Sequence, residues 1–276
     1  MAAAASEIRD FIRNSKEGST IPVMLGRILS IVRDEGSSSR ELCEMISYDQ
    51  ALAEMVLRCA NSPMFGHSGA VRDIEQAVMF LGYEQIKSIA VGMTVMKVFP
   101  AHGSFDIRNL WVHSCEVAFM ARALSESVPM VPAREAFLAG LLHDIGRIIF
   151  YRKSPKRFHE VGTSGDMLER EAELFGCTHA EAGAWYNEYA GVPEEIVMPI
   201  RHHHGPSGAP GYRGLVAVVS LAEGLSRRLS PRAGDDGLWS GGHGEMMRGL
   251  SIYEDDVVSL GERLGGMRRE IENFFG

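Results

Sequence analysis

The stretch AREAFLAGLLHDIGRIIFYR, residues 133–152, reads as one strongly apolar helix that carries a His-Asp pair, His143 and Asp144, toward its end. A helix apolar on most sides belongs in the interior of a helical assembly. The same 3.6-residue periodicity recurs along the chain on both sides of it, and strand-like alternation is almost absent. The expected fold is all-α.

Working outward, the first block, residues 1–103, predicts several short helices. PVMLGRILSIVRDE starts at Pro22, where a missing amide N–H costs nothing, and puts Leu25, Ile28, Leu29 and Val32 on one face. Ser39 and Asp49 are candidate N-caps for RELCEMIS and QALAEMVLRCA, and NSPMFG is a turn. Asp73 caps IEQAVMFL, Gly82 ends it in a left-handed conformation, and YEQIKSIAVGMTVMKVF follows as a further helix. Met79, Met93 and Met96 fall at helical spacing and read as core filler or an adaptable groove.

The second block, residues 104–229, predicts longer helices over 106–127, 133–152, 166–175, 178–189, 193–204 and 212–229. Residues 230–250 hold the Gly-rich run SPRAGDDGLWSGGHGEMMRG and are expected to form a mobile loop; residues 251–276 are expected to form a C-terminal helix. Arg227, Arg228 and Arg232 read as a solvated basic cluster beside that loop.

The chain has 276 residues with 28 Lys+Arg against 36 Asp+Glu, a net charge of −8, which excludes a basic nucleic-acid coat. Its four cysteines form no CxxC pair, so a zinc ribbon or a secreted disulfide framework is not expected. MAAAASEIRDF lacks the apolar core of a signal peptide, and IAVGMTVMKVF falls short of the roughly 20 residues of a membrane span. A soluble, cytoplasmic protein without membrane or nucleic-acid partners is the expectation. Ser62, Ser114 and the cysteines have no recognisable base beside them in sequence, so a nucleophile triad is not supported.

Ten histidines are the distinctive compositional feature. Neighbours on a helix point about 100° apart, so His143 and Asp144 reach one ion only from a notch between them, where Gly146 loosens the helix end. Imidazole with carboxylate suits Fe, Mn or Zn. His113 in LWVHSCEVAFMARAL emerges near a buried face, His179 opens the helix HAEAGAWY, and at most two of His202, His203 and His204 can aim at one pocket. Each also has a bland account: a core histidine bonded to a carbonyl, a capping-turn residue, or a solvated helix end favoured by the dipole. Their occurrence in successive helices favours a metal site.

At these residues the chain resembles a known family. LWVHS, LLHDIG, HAEAGAW, VPEEIVMPIRHHH and VVSLAEGLS are similar to the successive motifs of the HD superfamily of metal-dependent phosphohydrolases. IPVML, VLRCANSPMFG and QAVMFLGYEQIKSIAV resemble the helical N-terminal portion of HDOD domains, the bacterial HD-related output domains. The resemblance covers roughly residues 15–228 and implies an HD-type helical bundle with an N-terminal helical subdomain.

It also implies site residues. His113, His143 and Asp144 correspond to the ligands of one metal; His179, His203 and His204 correspond to those of a second in the dinuclear HD-GYP relatives, with Asp144 bridging. Glu223 stands where the family has a late Asp. One or two divalent ions, Fe or Mn ahead of Zn, are implied. Asp144 and Arg147 are the candidate catalytic residues, Arg147 replacing a lysine that contacts phosphate and so presenting a fork in place of a point charge. Gly205 replaces a glutamate, and no GYP segment follows. The implied role is a bacterial signal-transduction module, regulatory or scaffolding, with signalling proteins as partners. The alternative is an active metal-dependent phosphohydrolase or phosphodiesterase acting on a nucleotide or cyclic dinucleotide.

Overall fold

The computed structural model describes residues 2–14, 38–61, 71–98, 107–162, 167–229 and 241–262, and among these residues the regular elements are helical and no strand occurs. The helix expected from Pro22, most of the NSPMFG turn, residues 230–240 and the end of the C-terminal helix lie outside the described residues.

In the first block, helices α2 (Ser39–Tyr48), α3 (Gln50–Ala60), α4 (Ile74–Leu81) and α5 (Tyr83–Val98) pack on one another through Leu42, Ile46, Leu52, Val56, Ala77 and Ile86. The cap of α2 is Ser38, one residue before the expected Ser39; its hydroxyl accepts from the Glu41 N–H while the Glu41 carboxylate accepts from the Ser38 N–H. Asp49 and Asp73 cap α3 and α4 as expected, and Gly82 ends α4 at φ +84°. Met93 is buried, whereas Met79 is 76% exposed, so the methionines are not a single core stripe.

The second block is built around α6 (Ile107–Ser125), which packs along α7 (Ala133–Leu142) and α13 (Arg213–Leu229). Every residue of α7 from Ala136 to Leu142 is buried, the signature of a helix enclosed on all sides. α8 (Ile145–Lys153), α9 (Pro155–Val161), α10 (Met167–Phe175), α11 (His179–Ala190) and α12 (Glu194–His202) complete the bundle, and α5 joins the blocks by lying on α7. The single helix expected over 133–152 is therefore two, separated at His143 and Asp144.

Two segments depart further from expectation. α1 (Ala2–Asn14) packs against α8, α10 and α11 through Ile8 and Ile12, with the Arg9 guanidinium 4.1 Å from the Trp185 ring centre. Residues 2–14 thus sit against the second block although they begin the first. Residues 241–249, expected as loop, form α14 (Gly241–Gly249), which packs on α13 and buries Met247; residues 254–262 are helical, as expected.

Candidate metal centre

The break between α7 and α8 sets the site. His143 keeps helical angles, but Asp144 lies at φ −97°, ψ 9°, which turns the chain and lets the two adjacent side chains converge. The turning point is Asp144, and Gly146 has a different task. A Cβ on Gly146 would run into the carbonyl group of His179. Glycine there lets the first turn of α8 lie directly on the start of α11, whose N-terminus is fixed by reciprocal Thr178 and Glu181 bonds. That contact places Asp144 Oδ1 3.1 Å from His179 Nε2.

Two clusters result. Among the described residues, ligand atoms of His113, His143 and Asp144 lie within 4.8 Å of one another, and so do those of His179, His203 and His204. Asp144 stands between them: Oδ2 is 3.9 Å from His113 Nε2, while Oδ1 is 3.5 Å from His143 Nε2 and 3.9 Å from His203 Nε2. Glu223 reaches the first cluster from α13, with Oε2 2.7 Å from His143 Nε2 and 3.0 Å from His113 Nε2. The longer carboxylate therefore fills the corner between His113 and His143. His202 stands apart from both clusters, as the fan of three histidines requires.

The imidazoles are aimed by their other nitrogens. The Nδ1–H of His143 donates to the Gly140 carbonyl at 2.7 Å and that of His203 to the Ile200 carbonyl at 2.8 Å, leaving both Nε2 atoms for the centre. For His143 the bland account and the ligand account are both satisfied, one at each nitrogen. His179 has a carboxylate behind it: Glu171 on α10, 1% exposed, accepts from both the Nδ1–H and the backbone N–H of His179 at 2.8 Å. Carboxylate–histidine pairs of this kind hold metal-ligating imidazoles elsewhere. The sequence reading missed Glu171, because nothing in LEREAEL distinguishes it from solvated glutamates.

The charges are balanced internally. Burial opposes ionisation of Asp144, but His143, Arg147 and His179 hold its carboxyl well below the usual carboxylate range. Glu223 is likewise opposed by burial and held low by His113, Arg227 and His143. Burial pulls both His143 and His179 down, yet Asp144 with Glu223 raises the first and Glu171 with Asp144 raises the second. Burial and the neighbouring histidines push His203 down.

The donor set fits a divalent cation. His143 Nε2 and Asp144 Oδ1 are fully buried and neither makes a hydrogen bond of good geometry, although Glu223 Oε2 lies 2.7 Å from the first and His179 Nε2 3.1 Å from the second. Buried polar atoms left in this state, drawn together from five helices, leave room for an ion or an ordered water between them. The set is nitrogen and oxygen throughout, and burial pushes the thiols of Cys59 and Cys177 up to about 12, far from thiolate chemistry.

Two arginines reach carboxylates of the centre. Arg147 sits 3.4 Å from Asp144 Oδ2 with its side chain 12% exposed, so it backs the aspartate. Arg227, expected as a solvated surface residue, is buried, and its Nε donates to Glu223 Oε1 at 2.9 Å. The α13 register decides this, since Arg227 follows Glu223 by one turn on the inner face.

A cleft of about 850 Å³ opens onto the centre, with His203, His204 and Glu223 at its floor, Arg213 and Ser220 from α13 on one side and His243 from α14 on the other. Arg147 is not among the described residues that line it.

Residues 19–206 match the HDOD domain family. An uncharacterized protein of Treponema pallidum is 24% identical over 219 residues, 76% of this chain and 42% of its own length. A ribonuclease Y of Thermus thermophilus is 32% identical over 120 residues, 43% of this chain and 16% of its own length. The chain spans less than half the length of either relative. Among solved structures, an HDOD domain protein of unknown function from Geobacter sulfurreducens superposes with TM-score 0.79 at 24% identity, over 99% of this chain and 98% of that one. A Shewanella amazonensis protein provisionally named a phosphohydrolase gives 0.79 at 22%, with 99% and 98% covered; a Marinobacter aquaeolei protein provisionally named a signal-transduction protein gives 0.75 at 20%, with 99% and 66% covered. These likenesses establish the shared helical fold. Among the described residues no helix is long and apolar enough to cross a membrane. The matched residues include the helices that carry His113, His143, Asp144, His179 and His203, and on that match the chain belongs to the HDOD domain family.

Proposed function

We propose that this chain is a signal-transduction module whose His/carboxylate centre holds one or two divalent ions and binds a phosphorylated ligand there. The observation that carries the reading is the convergence of buried nitrogen and oxygen donors, His143 Nε2 and Asp144 Oδ1 among them without a well-formed hydrogen bond, at a centre whose outer residues line an open cleft. A purely structural metal site is closed on all sides by protein ligands, whereas a site that works on a ligand keeps an approach. His113, His143, Asp144 and Glu223 would hold one ion and His179, His203 and His204 a second, with Asp144 between them. When bound, such an ion contributes positive charge at a phosphoester and lowers the pKa of a water molecule beside it.

The chain's own residues prepare that environment. Glu171, Gly140 and Ile200 fix the imidazole orientations, Arg147 holds the Asp144 charge, and Arg227 keeps one Glu223 oxygen out of the centre. The position of the cleft, open onto both His203 and Glu223, also favours a second reading, hydrolysis of the bound nucleotide or cyclic dinucleotide.

The test is elemental analysis of the full chain purified without a histidine tag, followed by calorimetry and turnover assays with nucleotides in the presence of Mn2+. Stoichiometric metal and saturable binding are expected. Binding without product formation selects the regulatory role, product formation selects the hydrolase, and protein that retains no metal under any loading condition overturns both.

A further inference from the structure

The centre lies in a chain of net charge −8, and its ligands include Asp144 and Glu223, with Glu245 also on the cleft wall. An anionic ligand entering the cleft therefore meets a repulsive field except at the ions and at fixed cations. Arg147 and Arg227 are both committed to carboxylates of the centre. The arginine that does face the cleft is Arg213, the first residue of α13; it is exposed and makes no ion pair among the described residues.

Its placement is built by the backbone. Tyr212, immediately before it, sits at φ +52°, a conformation that a tyrosine rarely adopts, while its carbonyl accepts the Val216 N–H at 3.0 Å to start α13. The opposite wall is also held in place, because His243 of α14 lies over the bare backbone of Gly224, where a Cβ would come within 2.5 Å of its Nε2. The open cleft, about 850 Å³, has the size of a nucleotide-scale pocket and exceeds what a single phosphate needs. Arg213 and α14 both lie beyond residue 206, where the family match ends.

We propose that the cleft between α13 and α14 is a second-anion subsite, in which Arg213 receives a phosphate remote from the one bound at the His/carboxylate centre. The substrate or ligand class is then a nucleotide with two separated phosphates. This rests on the reading of the centre as a metal-dependent phosphate site. Guanidinium suits the task because its planar fork meets two phosphate oxygens at once.

The experiment is calorimetry on the full chain loaded with Mn2+, using adenosine 3′,5′-bisphosphate and AMP as probes and comparing wild type, Arg213→Ala and Arg213→Lys. Metal stoichiometry and Tm are measured on each. The expected result is about a tenfold loss of bisphosphate affinity in Arg213→Ala, partial recovery in Arg213→Lys, and unchanged AMP affinity and Mn2+ content. Equal losses for both probes, or none for either, overturn the subsite while leaving the centre's reading intact. If wild type binds Mn2+ but neither probe, the phosphate reading of the centre fails and the subsite falls with it.

Discussion

Glu171 and His179 are joined through two hydrogen bonds at 2.8 Å, one to the imidazole Nδ1 and one to the backbone N–H, and both residues are buried. One carboxylate thereby fixes the tautomer, the ring orientation and the start of α11 together. Its distal effect is to present Nε2 of His179 to Asp144 at 3.1 Å. Glu171→Gln keeps the shape but loses the charge, and a 10- to 100-fold weakening of Mn2+ binding is expected by calorimetry, on the order seen for such supporting partners. Unchanged affinity would show that Glu171 only caps the helix.

Gly146→Ala tests the contact between α8 and α11. The added methyl has no room against the His179 carbonyl, so the helices must separate. A loss of about 1–3 kcal/mol in denaturant unfolding is expected. Metal content should fall with it, because the shift moves Asp144 away from His179; wild-type stability with full metal would refute the close-packing account.

Metal loading should stabilise the fold. At Mn2+ about a hundredfold above its Kd, the native state gains about 2.7 kcal/mol by mass action, a rise in Tm of several degrees. Asp144→Ala removes the carboxylate that stands between the clusters, and its Tm response to Mn2+ should be strongly reduced. A full response in that variant would place the ion away from Asp144.

The pH dependence should invert between chelated and loaded protein. His143 and His179 are raised in the folded state by their carboxylate partners. Their contribution is therefore complete below the unfolded pKa of about 6.5 and is lost as pH rises through the folded values. Asp144 and Glu223 are lowered, so their contribution is present above about pH 4 and lost in acid. His203 is lowered and acts against stability below about pH 6.5, opposing the other two histidines there. In chelator, Tm should decline as pH rises above about 6.5. With Mn2+ it should rise over the same window, because metal ligation requires the imidazoles deprotonated. Parallel profiles in the two states would contradict the assigned ligands.

Much of the fold was legible in local pattern. Apolar periodicity marked α3, α4, α6 and α11 to within a few residues, and the caps Asp49 and Asp73 were readable because a side chain and the N–H it caps are three residues apart. The break at Asp144 was not legible, since the apolar pattern runs through it without a Pro. α14 was not legible either, because four of its nine residues are glycine and its helix is held by α13 rather than by propensity.

By itself the sequence determined the helical class and the candidate donors: the fold brings His113, His143, Asp144, His179, His203, His204 and Glu223 to one centre or its edge. Only the tertiary structure decided which nitrogen of each imidazole faces inward, that Glu171 stands behind His179, that Arg147 and Arg227 are committed to carboxylates, and that Arg213 faces the cleft. The reason is physical. Residue type and spacing fix what a helix can present, but burial, register and the approach of one backbone to another at Gly146 fix what it meets, and those arise only when distant segments pack.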